Sequence, residues 1–181
     1  YKRQRGVVFQ QHNLFPWKTV EENIGFGPRM RGETKQRRKE IVSDYIKIIG
    51  LMGFERSYPE ELSVGMKQRV ALARAFANDP EVLLMDEPFA SLDSQTALTM
   101  RQLLLKIWSQ RRKMVIFVTH DIDEAILLAD RVLVLSSRPG KLKGEFRIQL
   151  PRPRTSECLV TPHYVDLKKT ILSSCHSEVM G

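Results

Sequence analysis

No apolar run in this 181-residue sequence exceeds five residues, Met114–Val118 being one of that length. A membrane span needs about 18, so none is encoded here and any work at a membrane is done from its surface or through a partner. Cysteine is scarce. Cys158 and Cys175 lie 17 positions apart, with no CxxC and no Cys/His cluster, so neither a zinc site nor a disulfide framework is indicated and a reducing cytoplasm is the default. The opening Tyr1-Lys2-Arg3-Gln4-Arg5 has no initiator Met, and it does not resemble a signal peptide, since no apolar stretch follows its basic residues. We expect a fragment of a longer protein. Internal repeats and low-complexity tracts are also missing.

What is present is the balance of an ordinary soluble domain, 42% apolar and 28% charged. Lys and Arg outnumber Asp and Glu by 29 to 21, giving +8. That charge permits a polyanion partner without choosing one. Gly6-Val7-Val8-Phe9 reads as a short buried strand, followed by a Gln-rich, Pro-containing loop through Trp17. Helical patterning runs from Thr19 to about Tyr58, with Ile41, Tyr45, Ile48 and Ile49 on one stripe. Leu62 to Asn78 is an Ala-rich helix that Ser63 is placed to cap. Apolar strands follow at Val82–Met85, Met114–Thr119 and Arg131–Leu135, with a helix starting at the capping-box-like Asp121-x-x-Glu124. Unalternating strands separated by helices predict an α/β fold with a parallel sheet covered on both faces. Leu167–Leu172 reads as a terminal helix.

Chemistry gathers at the ends of these elements. Two carboxylates, Asp86 and Glu87, emerge at the C-terminal end of the Val82–Met85 strand, where open α/β sheets bind ligands. The first suits Mg²⁺ beside phosphates, and the second can act as a general base on water. Taken alone, a strand ending in Asp-Glu is as well read as a turn. His120 closes the next strand and could approach Glu87 and a phosphate oxygen, or be merely structural. Gln10 follows the first strand and could ligate a metal or position water. At the helix start Leu62-Ser63-Val64-Gly65-Met66, free backbone N–H groups and the hydroxyl of Ser63 can attract an anion, and Gly65 leaves it room. An ordinary capped helix reads the same way. The serial order of all four is less easily a coincidence.

In that order the chain resembles the ATPase subunit of an ABC transporter, over residues 1 to about 154. Gln10 in Val8-Phe9-Gln10 is similar to the Q-loop. Ser63, Val64, Gly65 and Met66 resemble the signature motif, and Val82–Glu87 resembles Walker B with its catalytic Glu. Ala90-Ser91-Leu92-Asp93 resembles the D-loop, and His120 the switch histidine. Phe15-Pro16-Trp17, the Asp123–Arg131 stretch and Ser137-Arg138-Pro139-Gly140 are similar to the nitrate, sulfonate and taurine importer branch.

The resemblance implies a P-loop NTPase core, here incomplete, with an inserted helical subdomain at about 18–78 and a partly helical tail over 155–181. It also implies ATP and Mg²⁺ as cofactors, with Glu87, His120 and Gln10 catalytic and Asp86 and Gln10 at the metal. Two subunits, identical or paired, would pack head to tail, so that Ser63 to Met66 grip in trans the ATP held by the neighbour, with Asp93 in the D-loop. Closure and reopening would drive a transmembrane permease, fed indirectly by a solute-binding protein, with the Q-loop and segment 18–60 as the contact region. The motor would sit peripherally on the cytoplasmic face of the membrane.

Two departures stand out. The P-loop pattern G-x-x-x-x-G-K-[ST] is missing; the nearest spacing, Gly27 to Gly32, is followed by Glu33-Thr34. In the family that loop and its strand and helix precede the Q-loop, so their loss would expose apolar surface. Val64 also stands where the family usually has Gly. Two other readings remain open. One is a non-catalytic remnant offering only its signature face. The other is a nucleic-acid-associated ATPase using the basic clusters at 29–39, 111–113 and 138–154, which have no aromatic stacking platform or groove-reading motif. We expect no nucleic-acid partner.

Overall fold

A computed structural model describes residues 5–176. The opening residues Tyr1 to Gln4 lie outside it, as does the end of the tail. The chain divides into two compact units, one running to Val118 and the other from Thr119.

The first unit opens on strand β1 (Arg5–Val8), then helices α1 (Val20–Met30) and α2 (Lys35–Ile49). Thr19 starts α1 with a full capping box, its hydroxyl accepting from the Glu22 amide while Glu22 accepts from the Thr19 amide. Thr34 caps α2, and Gly50, at φ 67, ends it in the left-handed conformation that glycine adopts without strain. The helical patterning therefore stops at Ile49, and residues 51–58 are turns that bond back to the start of α1 through Ser57 and Glu55 carbonyls. Helix α3 (Val64–Ala77) begins at Ser63, whose hydroxyl accepts from the Met66 amide as the sequence predicts. Strand β2 (Val82–Asp86), helix α4 (Ser94–Gln110) and strand β3 (Met114–Val118) complete the unit.

All three strands of this unit are parallel, in the order β1-β2-β3. Helix α3 packs against α1, α2, α4 and β1, and Ile24, Ile49, Leu72, Phe76, Leu83, Met85, Met100 and Ile107 are buried side chains of the core. Among the described residues β3 pairs only with β2. Its Met114, Ile116 and Val118 are 65%, 52% and 52% exposed, an apolar strand with a bare edge.

In the second unit, helix α5 (Ile122–Leu128) is followed by strands β4 (Arg131–Leu135) and β5 (Leu142–Arg147), then helix α6 (Pro162–His176). Here the sequence reading needs correction. β4 is not a member of the parallel sheet: it pairs antiparallel with β5 in a separate two-stranded sheet. Its alternating burial, Val132 and Val134 inward against Leu133 and Leu135 outward, is that of a hairpin strand with one face covered. Those inward residues pack with Ile126, Ile148, Leu150, Tyr164 and Ile171. Asp121 caps α5, but Glu124 does not complete a capping box; its carboxylate accepts instead from the Thr119 hydroxyl at 2.7 Å. The terminal helix is longer than the apolar residues 167–172 suggest, because Tyr164 and Ile171 both bury on this core.

Candidate functional site

Parallel pairing fixes where the first site residues emerge. Val8 lies opposite Met85, and Met85 opposite Phe117. Gln10 and Asp86 therefore leave adjacent strands at the same C-terminal sheet end, both exposed. Glu87 follows with φ 41, a left-handed conformation uncommon outside glycine. Its amide donates to the Val118 carbonyl at 3.0 Å and its own carbonyl accepts from Ala90, which hold the kink from both sides. Pro88 and Phe89 bury behind it, and Phe89 stacks obliquely on Phe117 at 5.8 Å.

The segment then turns out to Asp93, which caps α4: its Oδ1 accepts from the Gln95 and Thr96 amides at 3.2 and 3.0 Å. Hydrogen bonds from the Thr96 side chain and then its amide hold the Asp93 carboxyl below the usual aspartate range. Thr96 also meets the signature region. A Cβ at Gly65 would lie 3.2 Å from Thr96 Cγ2, so this glycine lets α3 sit close to α4. Ser63 and Val64 stay exposed at the start of α3, with Gly65 and Met66 half-buried behind them. Val64 projects from the first turn into solvent, leaving the core of the helix unperturbed.

His120 lies exposed at the start of the second unit, immediately before Asp121. The structure thus brings Gln10, Asp86 and Glu87 to one sheet end and joins Gly65 to the Asp93 cap. Asp86 and the Gln10 amide carbonyl are oxygen donors, the chemistry a hard divalent cation takes. Among the described residues no group of three or more His, Cys, Asp or Glu is clustered to hold a metal.

Two residues escaped the sequence reading. Gln68, flanked by Lys67 and Arg69, is fully buried; its Nε2 donates to the Pro88 carbonyl at 2.7 Å and its Oε1 accepts from His12 Nδ1. Arg74 grips the same loop, donating to the carbonyls of Asn13 at 2.8 Å and His12 at 3.2 Å, with its guanidinium over the Phe15 ring. Burial pulls that guanidinium below the ordinary arginine range. The only hint in the sequence is their place on the buried helix.

Several members of the basic clusters pair locally: Arg31 with Glu33, Arg37 with Glu40, Arg111 and Lys113 with Asp44 and Asp79, and Arg152 with Asp130. Arg154 is not a surface charge at all but is buried among backbone carbonyls. The Gly27–Gly32 spacing has its own explanation: Gly27 lies inside α1, where a Cβ would come within 2.6 Å of Asn78 Oδ1, and Gly32 takes φ 77 in the following turn.

A Walker-type strand end and a capped signature-like helix of this kind have many relatives. Residues 1–90 match the family described as ABC transporter. An uncharacterized ABC transporter ATP-binding protein of Methanocaldococcus jannaschii is 51% identical over 176 residues, covering 97% of this chain and 65% of that protein. The chain belongs to the ABC transporter ATP-binding family. Its members include the nitrate import ATP-binding protein of Synechocystis, 50% identical over 81% of this chain and 55% of that protein. The aliphatic sulfonates import ATP-binding protein of Bacillus cereus is 44% identical over 94% of this chain and 65% of that protein. Among solved structures, a dimeric ATP-binding cassette in a post-hydrolysis state with ADP and phosphate bound is similar, at TM-score 0.66 and 35% identity, over 81% of this chain and 63% of that one. The chain spans about two thirds of the length of the first curated relatives it matches. No helix of its described residues is long and apolar enough to cross a membrane.

Proposed function

We propose that this chain supplies the catalytic-base and signature portions of an ATP-hydrolysing motor for an ABC importer of a small anion such as nitrate, taurine or another sulfonate. The observation that carries this is the end of β2: two acids leave a parallel strand beside Gln10, with Glu87 held in a left-handed kink by the Val118 carbonyl and the Ala90 amide. Such a fixed carboxylate can take a proton from an attacking water, a role worth about 10²–10⁴-fold in rate. Asp86 and Gln10 would hold Mg²⁺, which when bound shields the phosphate charge. His120 would orient the γ-phosphate and Asp93 would brace the D-loop.

Closure needs a second copy or a paired ATPase subunit. The exposed Ser63 hydroxyl and the backbone N–H groups of Val64, Gly65 and Met66 would meet the partner's nucleotide, since a helix of 14 residues presents a positive end. The resemblance and the dimeric cassette among the similar structures support that arrangement. A permease would take up the motion at the segment where Trp17, Met52, Phe54 and Tyr58 stand exposed, near the 55–57 turns that bond the start of α1. A solute-binding protein would act through that permease, placing the motor peripherally on the cytoplasmic face.

The test is Glu87→Gln in the full-length protein. Phosphate release should fall by about 10²-fold or more while ATP-induced dimers persist on gel filtration. Turnover at the parent rate removes Glu87 as the base.

A further inference from the structure

We propose that Gln68 is a positioning residue for the catalytic carboxylate, and that His12 couples it to the Q-loop. The inference rests on Glu87 being the base. Its starting point is a fully buried amide with both ends occupied. Gln68 Nε2 lies 2.7 Å from the Pro88 carbonyl, which can only accept, so the orientation of the amide is settled. Its Oε1 then faces His12, and His12 Nδ1 carries the proton between them.

This chain of bonds begins two residues after Gln10 and ends at the residue after Glu87. Glu87 needs such support. A left-handed non-glycine residue persists only when its surroundings over-determine it. The Val118 carbonyl and Ala90 amide fix its own peptide groups, and Gln68 fixes the next carbonyl along. A second contact stiffens the same side of the assembly, where Gly65 packs on Thr96 just beyond the Asp93 cap. Helix α3 and the segment 86–96 are therefore joined at two points beyond the kink, at Pro88 and at Thr96. On the other side Arg74 secures the His12 and Asn13 carbonyls, so the loop after Gln10 cannot shift without pulling on Gln68 or Arg74. A displacement of the Q-loop would be felt at Glu87 as a small rotation of the carboxylate, the kind of misplacement that costs up to about 10²-fold in rate.

Steady-state ATPase assays on the full-length protein test this with Gln68→Glu, His12→Ala and the double variant. Gln68→Glu keeps shape and the acceptor toward His12 but loses the donor to Pro88. We expect kcat to fall about tenfold or more in each single variant, with KM for ATP within about twofold and ATP-dependent dimers retained. The double variant should be no slower than Gln68→Glu alone, because both act through one carbonyl. His12→Gln, which can donate in place of the ring nitrogen, should recover turnover where His12→Ala does not. A kcat near the parent value in the single variants, or losses that multiply in the double variant, would overturn the proposal. If Gln68→Glu does not fold, the His12→Ala and His12→Gln pair decides alone: equal rates refute the coupling. Glu87→Gln run alongside separates the two claims. Surviving turnover there defeats the base assignment and this proposal together, whereas a dead Glu87→Gln beside unimpaired Gln68 and His12 variants defeats this proposal only.

Discussion

Arg154 donates to the Ile126 carbonyl at 2.9 Å, deep in the second unit. The same guanidinium reaches the carbonyls of Leu127, Ala129, Ile148 and Leu150, which ties the end of α5 to the segment after β5. Burial lowers its pKa below the ordinary arginine range, yet it stays charged, because only a cation with a planar fork of donors satisfies so many acceptors. Arg154→Met should therefore cost about 3 kcal/mol, and Arg154→Lys nearly as much, by leaving carbonyls without donors. Thermal melting with amide hydrogen exchange will show it: protection should drop in α5 and β5 and hold in α3 and β2.

The first unit has a comparable point of close approach at Gly27. A methyl group there would sit within 2.6 Å of Asn78 Oδ1 and 3.0 Å of Asn78 Cα, where α1 crosses the end of α3. Alanine is the better helix former, so propensity alone predicts a gain. Sterics should win. We expect Gly27→Ala to destabilise by about 1–3 kcal/mol, while Gly27→Ala with Asn78→Gly recovers part of the loss in urea titrations.

Acid should loosen the start of α4. The Asp93 carboxyl is held below the usual aspartate range by the Thr96 side chain and amide and by the Gln95 amide. A group whose pKa is lower folded than unfolded adds stability above the unfolded value and loses it as pH falls through the folded one. Between roughly pH 5 and pH 2 the parent should lose stability faster than Asp93→Asn, whose amide oxygen can still cap but does not titrate. Parallel melting curves across that range measure the difference, and identical slopes would refute it.

Strand β3 carries a solubility prediction. Its exposed Met114, Ile116 and Val118 stand on a strand with one unpaired edge among the described residues. Such an edge recruits further strands. In the 181-residue chain, Ile116→Lys should reduce aggregation and dye binding without lowering the melting temperature.

Much of this was legible before any coordinates. The Val82–Met85 run, its terminal acids and the Ser63 cap declared themselves because a buried parallel strand and a helix start have strong local signatures. β5 did not, since Lys143, Glu145 and Arg147 interrupt its apolar residues; backbone pairing with β4, a nonlocal fact, makes it a strand. Arg154 sits between Pro153 and Thr155 in a basic stretch and reads as surface. Only the convergence of carbonyls from two stretches, 126–129 and 148–150, shows otherwise. Gln68 was hidden for the same reason: between Lys67 and Arg69 a glutamine looks solvated, and its partners come from residues 12 and 88.

Glu87 occupies a backbone region where glycine rests most comfortably, at φ 41. Replacing it with glycine should therefore make the molecule hardier while taking away its acid. Directed evolution for heat endurance alone would drift toward that exchange, and a library screened only for survival at high temperature would enrich robust clones that have lost this one carboxylate.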